Sequence, residues 1–190
     1  SFGNAKTVMN HNSSRFGKFT RIHFDSRNWL VGADVVTYLL EKSRVITQNS
    51  GERNYHCFYQ MFAGLSKSER AELHLEKPAG SYHFLEKGIV QVAAINDSER
   101  YSDAVIAMRT IGITPEAQKG MYTLLAALLH LGDISFVPTD DDACVVGAMD
   151  SMAHAAALLQ LPVATIEEAL TSRTMTSMSG SIYKIPLKQQ

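Results

Sequence analysis

Most features that would assign a protein to a specialised class are missing from these 190 residues. There are only two cysteines, Cys57 and Cys144, and they form no CxxC pair, so neither a disulfide framework nor a thiolate metal site is indicated. Two distant cysteines favour a reducing compartment, and a single disulfide between them is the alternative. The seven histidines show no HxxxH or HExxH spacing, so no histidine metal centre is predicted.

The sequence also lacks a long hydrophobic run and a large net charge. The longest apolar run, residues 124–129, is far shorter than a membrane span of about 20 residues and predicts a buried helix instead. The 18 basic and 19 acidic residues leave a formal net charge of −1, so no overall field draws the chain to nucleic acid or an anionic membrane. With 45% hydrophobic and 19% charged residues, the composition is that of a soluble globular domain.

The first part of the chain predicts strands. Alternating residues over about 18–25 indicate one strand, and the turn cluster 26–28 suggests that residues 29–40 pair back as a hairpin.

The remainder predicts a mainly helical body. An aromatic stripe at helical spacing predicts a helix over 52–62 with that stripe in the core. Capping and proline signals predict helices that begin at Ser66, at Asp97 or Ser98, and at Pro115. The other predicted elements are a strand over 134–137, an acidic loop over 140–142, helices over 150–161 and 165–170, and a final hairpin over 171–187.

The segment 4–19, NAKTVMNHNSSRFGKF, has the composition of a phosphate-binding loop. Its Asn and Ser side chains are short neutral hydrogen-bond donors and acceptors, and Arg15 and Lys18 add positive charge. Gly17 gives the backbone conformational freedom just before the first strand. Such a loop can surround a phosphate, and a serine hydroxyl can ligate magnesium. The alternative is a turn cluster in which Asn and Ser side chains satisfy their own backbone.

The same segment resembles switch I of myosin heads, and three later strings are similar to that family in the same order: YLLEKSRV at 38–45, ERNYHCFYQ at 52–60 and LHLGDISF at 129–136. The resemblance implies the upper subdomain of a P-loop NTPase-type motor with mixed α and β structure, in which residues 1–190 are a single partial domain. The N-terminal strands would then belong to a larger central sheet whose other members lie outside residues 1–190. It also implies ATP and Mg²⁺ as cofactors, an actin filament as partner, and a cytoplasmic, cytoskeleton-associated location. Nucleic-acid binding and direct membrane insertion are not expected.

The resemblance also implies a role for each residue of the switch I segment. Asn10 would contact the nucleotide phosphates, and Ser13 would lie by the γ-phosphate and the attacking water. Ser14 would give its hydroxyl to Mg²⁺. Arg15 would pair with a glutamate of switch II. Met9 and His11 depart from the residues common in the family, which puts rate or affinity in doubt rather than chemistry.

Two parts of such an ATPase do not occur in this sequence. It contains neither a GxxxxGK[ST] motif nor a DxxGFE-like switch II segment, so we expect this chain alone to be inactive. The P-loop and switch II are expected from the rest of the head. A non-catalytic actin-binding module and a regulatory P-loop NTPase outside the myosins are the alternatives.

The final predicted hairpin resembles the myosin surface loop that meets actin, called the cardiomyopathy loop. Arg173 would lie at the entry of this loop. Ser181 falls where the family carries an acidic or phosphorylatable residue, which makes it a possible phosphosite. A phosphate there would add about −1.5 to −2 charges at pH 7. The residues around Ser181 lack the basic character that a kinase of this type usually requires.

Overall fold

A computed structural model describes residues 2–139, 143–147, 149–177, 180 and 182–187 of the chain. The predicted acidic loop at 140–142 and the candidate phosphosite Ser181 lie outside the described residues. Among the described residues no helix is both long enough and apolar enough to cross a membrane.

The N-terminal part contains the predicted hairpin. Strand β3 (Gly17–Phe24) pairs antiparallel with β4 (Leu30–Tyr38). The turn between them is stabilised by the Asp25 carboxylate, which accepts hydrogen bonds from the backbone N–H groups of Arg27 and Trp29 at 2.8 and 2.9 Å. Before this hairpin, β1 (Asn4–Ala5) pairs antiparallel with β2 (Ser13–Ser14) and closes the segment between them into a loop.

A helical body follows the hairpin and contains the main core. Its buried centre includes Phe58, Met61, Leu85 and Leu129, each at most 1% exposed. The aromatic stripe lies in this core, as predicted. The helices are α1 (Ser43–Ile46), α2 (His56–Gly64), α3 (Lys67–Glu72), a 3₁₀ turn (Ala79–Ser81), α4 (His83–Glu86), α5 (Asp97–Thr110) and α6 (Pro115–Gly132).

A second, smaller core lies where the end of α6 meets the C-terminal elements. Ile134, Met152, Ala156 and Ile166 are its buried members. The elements are β5 (Phe136–Pro138), β6 (Cys144–Val146), α7 (Met149–Leu159), α8 (Val163–Thr171), β7 (Ser172–Thr176) and β8 (Ile182–Pro186). The predicted final hairpin is confirmed as the antiparallel pair β7–β8.

Several local signals are confirmed. Ser66 and Glu69 form the predicted capping box of α3. Thr114 caps α6 with Pro115 at its first position. The α5 helix is instead capped by Asn96, whose side chain accepts from the backbone of Glu99, so the predicted cap was one residue late. The first long helix begins at His56 rather than near residue 52, because the four preceding residues make buried contacts outside a helix.

One larger expectation is modified. The apolar run 124–129 is helical but only partly buried, because Leu124 is 56% exposed and Leu128 is 39% exposed while Leu129 is fully covered. The described strands form four separate two-stranded sheets, so the fold is mixed α and β. The larger sheet with members outside residues 1–190 stays a prediction. The two cysteines are both buried and free.

Candidate functional site

The loop between β1 and β2 is exposed at its tip. Residues 8–12 are all exposed, whereas the strand residue Ala5 is fully buried. Thr7 and Asn10 organise the tip: the Thr7 hydroxyl accepts from the Asn10 backbone N–H at 3.2 Å, and Asn10 Oδ1 accepts from the Asn12 N–H at 2.8 Å. The turn that the sequence offered as an alternative, in which side chains bond their own backbone, is thus formed. The residues at its tip remain exposed to solvent.

Ser13 and Ser14 leave the loop in strand β2 with different surroundings. The Ser13 hydroxyl accepts a hydrogen bond from Arg15 Nη1 at 3.2 Å. Ser14 is exposed, and its hydroxyl has no hydrogen-bond partner among the described residues. The structure therefore brings Ser13 and Arg15 together and leaves Ser14 exposed to solvent. Asn10 lies apart from them at the loop tip.

Arg15 forms an ion pair with Glu41 that sequence reasoning missed. Arg15 Nε lies 2.6 Å from Glu41 Oε2, and the two side chains are 29% and 32% exposed. The guanidinium of Arg15 holds the pKa of the Glu41 carboxyl below its usual range, and the pKa of Arg15 is raised in turn by the same hydrogen bond. The resemblance had implied a partner on switch II. Within this chain the partner is instead the glutamate of the YLLEKSRV string.

Charged and polar contacts anchor both sides of the loop. Lys6 Nζ donates to the Gly51 carbonyl at 2.7 Å, and the Val8 N–H donates to Glu52 Oε1 at 3.3 Å. Glu52 also pairs with the buried Arg44 at 3.1 Å. These contacts tie the loop to the chain that precedes α2. The loop tip is therefore exposed but attached to the helical body at its base.

A cleft of about 490 Å³ lies beside the loop and is lined by polar side chains such as Asn4, Asn12 and His56 and by residues of α5. His56 is buried, and its pKa is lowered to about 4 by burial and by the charge of Arg53. Arg53 is fully buried and bonds Asp97 through two nitrogens, at 2.9 and 2.8 Å. This ion pair joins the start of α5 to the segment before α2, next to His56 of the cleft.

The loop fits a magnesium nucleotide only as one part of a larger site. Mg²⁺ takes six oxygen ligands, commonly one or two from protein and the rest from phosphates and water. The exposed Ser14 hydroxyl suits one such position. No group of three or more His, Cys, Asp or Glu side chains within the described ranges is arranged to hold a metal. The remaining ligands would have to come from the nucleotide, water and other segments of the protein.

The C-terminal hairpin β7–β8 forms a second candidate surface. Arg173 lies in β7 opposite Ile185. Its place at the entry of an actin-facing loop stays an implication of the resemblance. The side chain of Lys184 pairs with Glu168 of α8. Arg173 has no ion-pair partner among the residues that the structure describes.

A histidine cluster was not anticipated from spacing. His74 lies in the turn after α3, His130 in α6 and His154 in α7, and the rings of His74 and His154 stack with centroids 4.1 Å apart. His130 is buried and bonds the Leu73 carbonyl through Nε2 at 3.0 Å. Burial lowers the pKa of His130, and the neighbouring histidines lower it further.

The mixed α and β fold thus has an anchored polar loop in its N-terminal part and a surface hairpin in its C-terminal part. The whole chain, residues 1–190, matches the family model of the myosin head (motor domain), and the chain belongs to that family. This membership excludes the alternative of a P-loop NTPase outside the myosins.

Individual relatives agree with this assignment. The chain is 40% identical over 190 residues to unconventional myosin IC of Drosophila melanogaster, covering 100% of this chain and 18% of that relative. It is 40% identical to myosin IB heavy chain of Dictyostelium discoideum, covering 97% and 17%. It is also 40% identical to unconventional myosin-Id of Canis lupus familiaris, covering 100% and 19%. The chain thus spans less than a fifth of the length of these relatives.

Proposed function

We propose that this chain supplies switch I to the Mg²⁺-ATPase site of an actin-based motor and contributes part of its actin-binding surface. The observation that carries the proposal is the loop 6–15, whose tip is exposed while its two sides are fixed by Lys6 and Arg15. A loop of this kind can move between two positions without unfolding its base. Membership of the myosin head family supplies the motor context.

Each loop residue has a proposed role in this site. Asn10 contacts the phosphates, Ser13 positions the attacking water beside the γ-phosphate, and Ser14 gives an oxygen to Mg²⁺. Arg15 pairs with a glutamate of switch II when the site closes. Mg²⁺, when bound, neutralises charge on the phosphate oxygens. The residues of this loop provide positioning and hydrogen bonds, because phosphoryl transfer requires little covalent chemistry of the protein.

The P-loop and switch II are proposed to come from other segments of the head. A lysine of the GxxxxGK[ST] type does not occur in this sequence, so the chain by itself is proposed to be inactive as an ATPase. Ser14 and Arg15 would then act only in the assembled head.

The β3–β4 hairpin supports a place in a larger sheet. Phe19 and Val36 on one face, and Ile22 and Val35 on the other, are all between 46% and 59% exposed. A sheet with apolar side chains on both faces is typical of a strand pair covered on both sides. We propose that the rest of the head provides the neighbouring strands and the covering layers.

The β7–β8 hairpin is proposed to face actin, with Arg173 contributing positive charge. Phosphorylation of Ser181 is proposed to tune this contact by adding negative charge. In a full-length motor under phosphorylating conditions, Ser181→Ala should change actin-activated ATP turnover. Unchanged turnover would contradict the regulatory role of Ser181 and would leave the ATPase proposal standing.

The ATPase proposal is tested in the intact head that contains this chain. Ser14→Ala should reduce Mg²⁺-dependent ATP turnover by about 10- to 100-fold, because a positioned ligand to the metal is lost. Ser26→Ala, the same substitution in the exposed turn of the β3–β4 hairpin, should leave turnover unchanged. A head that binds actin filaments but shows no ATP turnover would contradict the proposal and favour a non-catalytic actin-binding module.

A further inference from the structure

Arg15 is held by Glu41 through both side chain and backbone. Besides the 2.6 Å ion pair, the Glu41 N–H donates to the Arg15 carbonyl at 2.9 Å. The contact follows from the β3–β4 hairpin: Gly17 pairs with Tyr38, so residues just before β3 and just after β4 are brought together. Arg15 is therefore already paired before any other segment of a motor head reaches it.

Glu41 also has a second, more permanent partner. Arg44 Nε lies 2.7 Å from the same oxygen of Glu41 that binds Arg15. The side chain of Arg44 is only 4% exposed, and it also bonds Glu52 and the Arg53 carbonyl. If Arg15 moved away, Glu41 would keep Arg44, and no buried charge would be left without a partner. The free-energy cost of breaking the Arg15–Glu41 contact is thus small and lies in the range of a partly exposed ion pair.

Arg44 and Arg15 consequently differ in how easily each can leave Glu41. Arg44 is fixed by burial and by two further acceptors. Arg15 is about one-third exposed, and among the described residues its side chain otherwise bonds only Ser13. Arg15 is the exchangeable member of this network. Glu41 is fixed in place by Tyr55, whose hydroxyl donates to the Glu41 carbonyl at 2.8 Å.

We propose that Glu41 is a positioning residue that holds Arg15 in the open state of the loop and competes with the switch II glutamate for it. This inference rests on the proposed function, in which Arg15 pairs with switch II when the site closes. The holding pair favours the open loop, so it opposes closure by the free energy of one partly exposed ion pair. Closure then occurs only when the nucleotide contributes enough favourable contacts to shift the population.

The test measures the loop position in the intact head, in a background without reactive cysteines. Spin labels are placed at Met9→Cys and Ile106→Cys, since those side chains are 93% and 61% exposed. Distance distributions are recorded with and without Mg²⁺-nucleotide. Glu41→Gln removes the charge and keeps the shape, and it should raise the ratio of closed to open loop by about two- to fivefold. Glu41→Asp, which restores the charge, should return the ratio towards that of the unmodified head.

Asp34→Asn is the matched control, because it removes one carboxylate that pairs with Arg21 on the same hairpin. It should leave the loop distribution unchanged. Thermal unfolding of each head shows whether Glu41→Gln has merely damaged the fold, in which case the loop distribution would broaden in every nucleotide state. That broadening, or a distribution identical to that of the unmodified head, would overturn the inference.

The two proposals fail in different ways. If Ser14→Ala abolishes turnover while Glu41→Gln leaves the loop distribution unchanged, only the role of Glu41 is overturned. If Ser14→Ala leaves turnover unchanged, the proposed switch I function is overturned, and the competition for Arg15 with it.

Discussion

The helical body and the β3–β4 hairpin cover their apolar side chains to very different extents. Phe58 in α2 is 1% exposed, whereas Phe19 and Phe24 on the hairpin are each 59% exposed. Both regions contain apolar side chains that could form a core. Among the described residues, those of the helical body pack against one another, whereas those of the hairpin remain exposed. The comparison teaches that the helical body covers its apolar side chains within the chain, whereas the hairpin does not, and we propose that the rest of the head covers the hairpin.

The largest expected effect separates the two regions directly. Phe58→Ala should lower the free energy of unfolding by about 3–5 kcal/mol, because it opens a cavity in the core of the helical body. Phe19→Ala on the hairpin should change it by no more than about 0.5 kcal/mol, since that ring is already in solvent. Urea denaturation of the chain measures both values. Similar losses for the two variants would contradict the comparison.

The buried ion pair of the helical body should give the next largest effect. Asp97→Asn leaves the charge of the fully buried Arg53 without its partner and should lower the free energy of unfolding by about 3 kcal/mol. Asp103→Asn on the same helix breaks a pair whose side chains are 64% and 56% exposed, and should cost at most about 1 kcal/mol. Equal losses in urea denaturation would show that burial does not set the strength of these pairs.

Acidification should weaken the helical body through His56. The folded-state pKa of His56 is about 4, below the value of about 6.5 expected in the unfolded chain. Between these values the unfolded chain binds the proton and the folded chain does not. Stability should therefore fall as pH is lowered from about 6.5 to 4, with His130 contributing in the same direction.

Urea midpoints at several pH values between 7.5 and 4 test this expectation. His56→Gln should make the decline shallower. His83→Gln, at a side chain that is 53% exposed, should leave its slope unchanged. A decline of the same slope in all three proteins would rule out His56 as its source.

Much of the fold could be predicted from short sequence patterns, because turns, helix caps and hairpins are determined by residues that are close together in the sequence. The β3–β4 hairpin, the capping box of Ser66 and the helix that starts at Pro115 each depend on a few adjacent residues. The Arg15–Glu41 pair could have been inferred in the same way, since the predicted hairpin brings residues before and after it together. The resemblance directed attention to a partner elsewhere instead.

Contacts between distant elements could not be predicted from those patterns. The cluster of His74, His130 and His154 depends on how α7 packs against α6, which no local periodicity encodes. The burial of Arg53 likewise depends on Asp97, which lies 44 residues later. The roles of Asn10, Ser13 and Ser14 stay predictions, because they depend on a nucleotide and on segments of the head beyond this chain.

Hydrogen–deuterium exchange of this chain alone and of the intact head tests the central claim most directly. The backbone amides of α2 and α6 should exchange at similar rates in both, because their core lies within the chain. The amides of β3 and β4 should exchange more slowly in the head by at least about an order of magnitude, because neighbouring strands would cover their open edges. Equal protection of the hairpin in the two samples would contradict its place in a larger sheet and the division between the two regions.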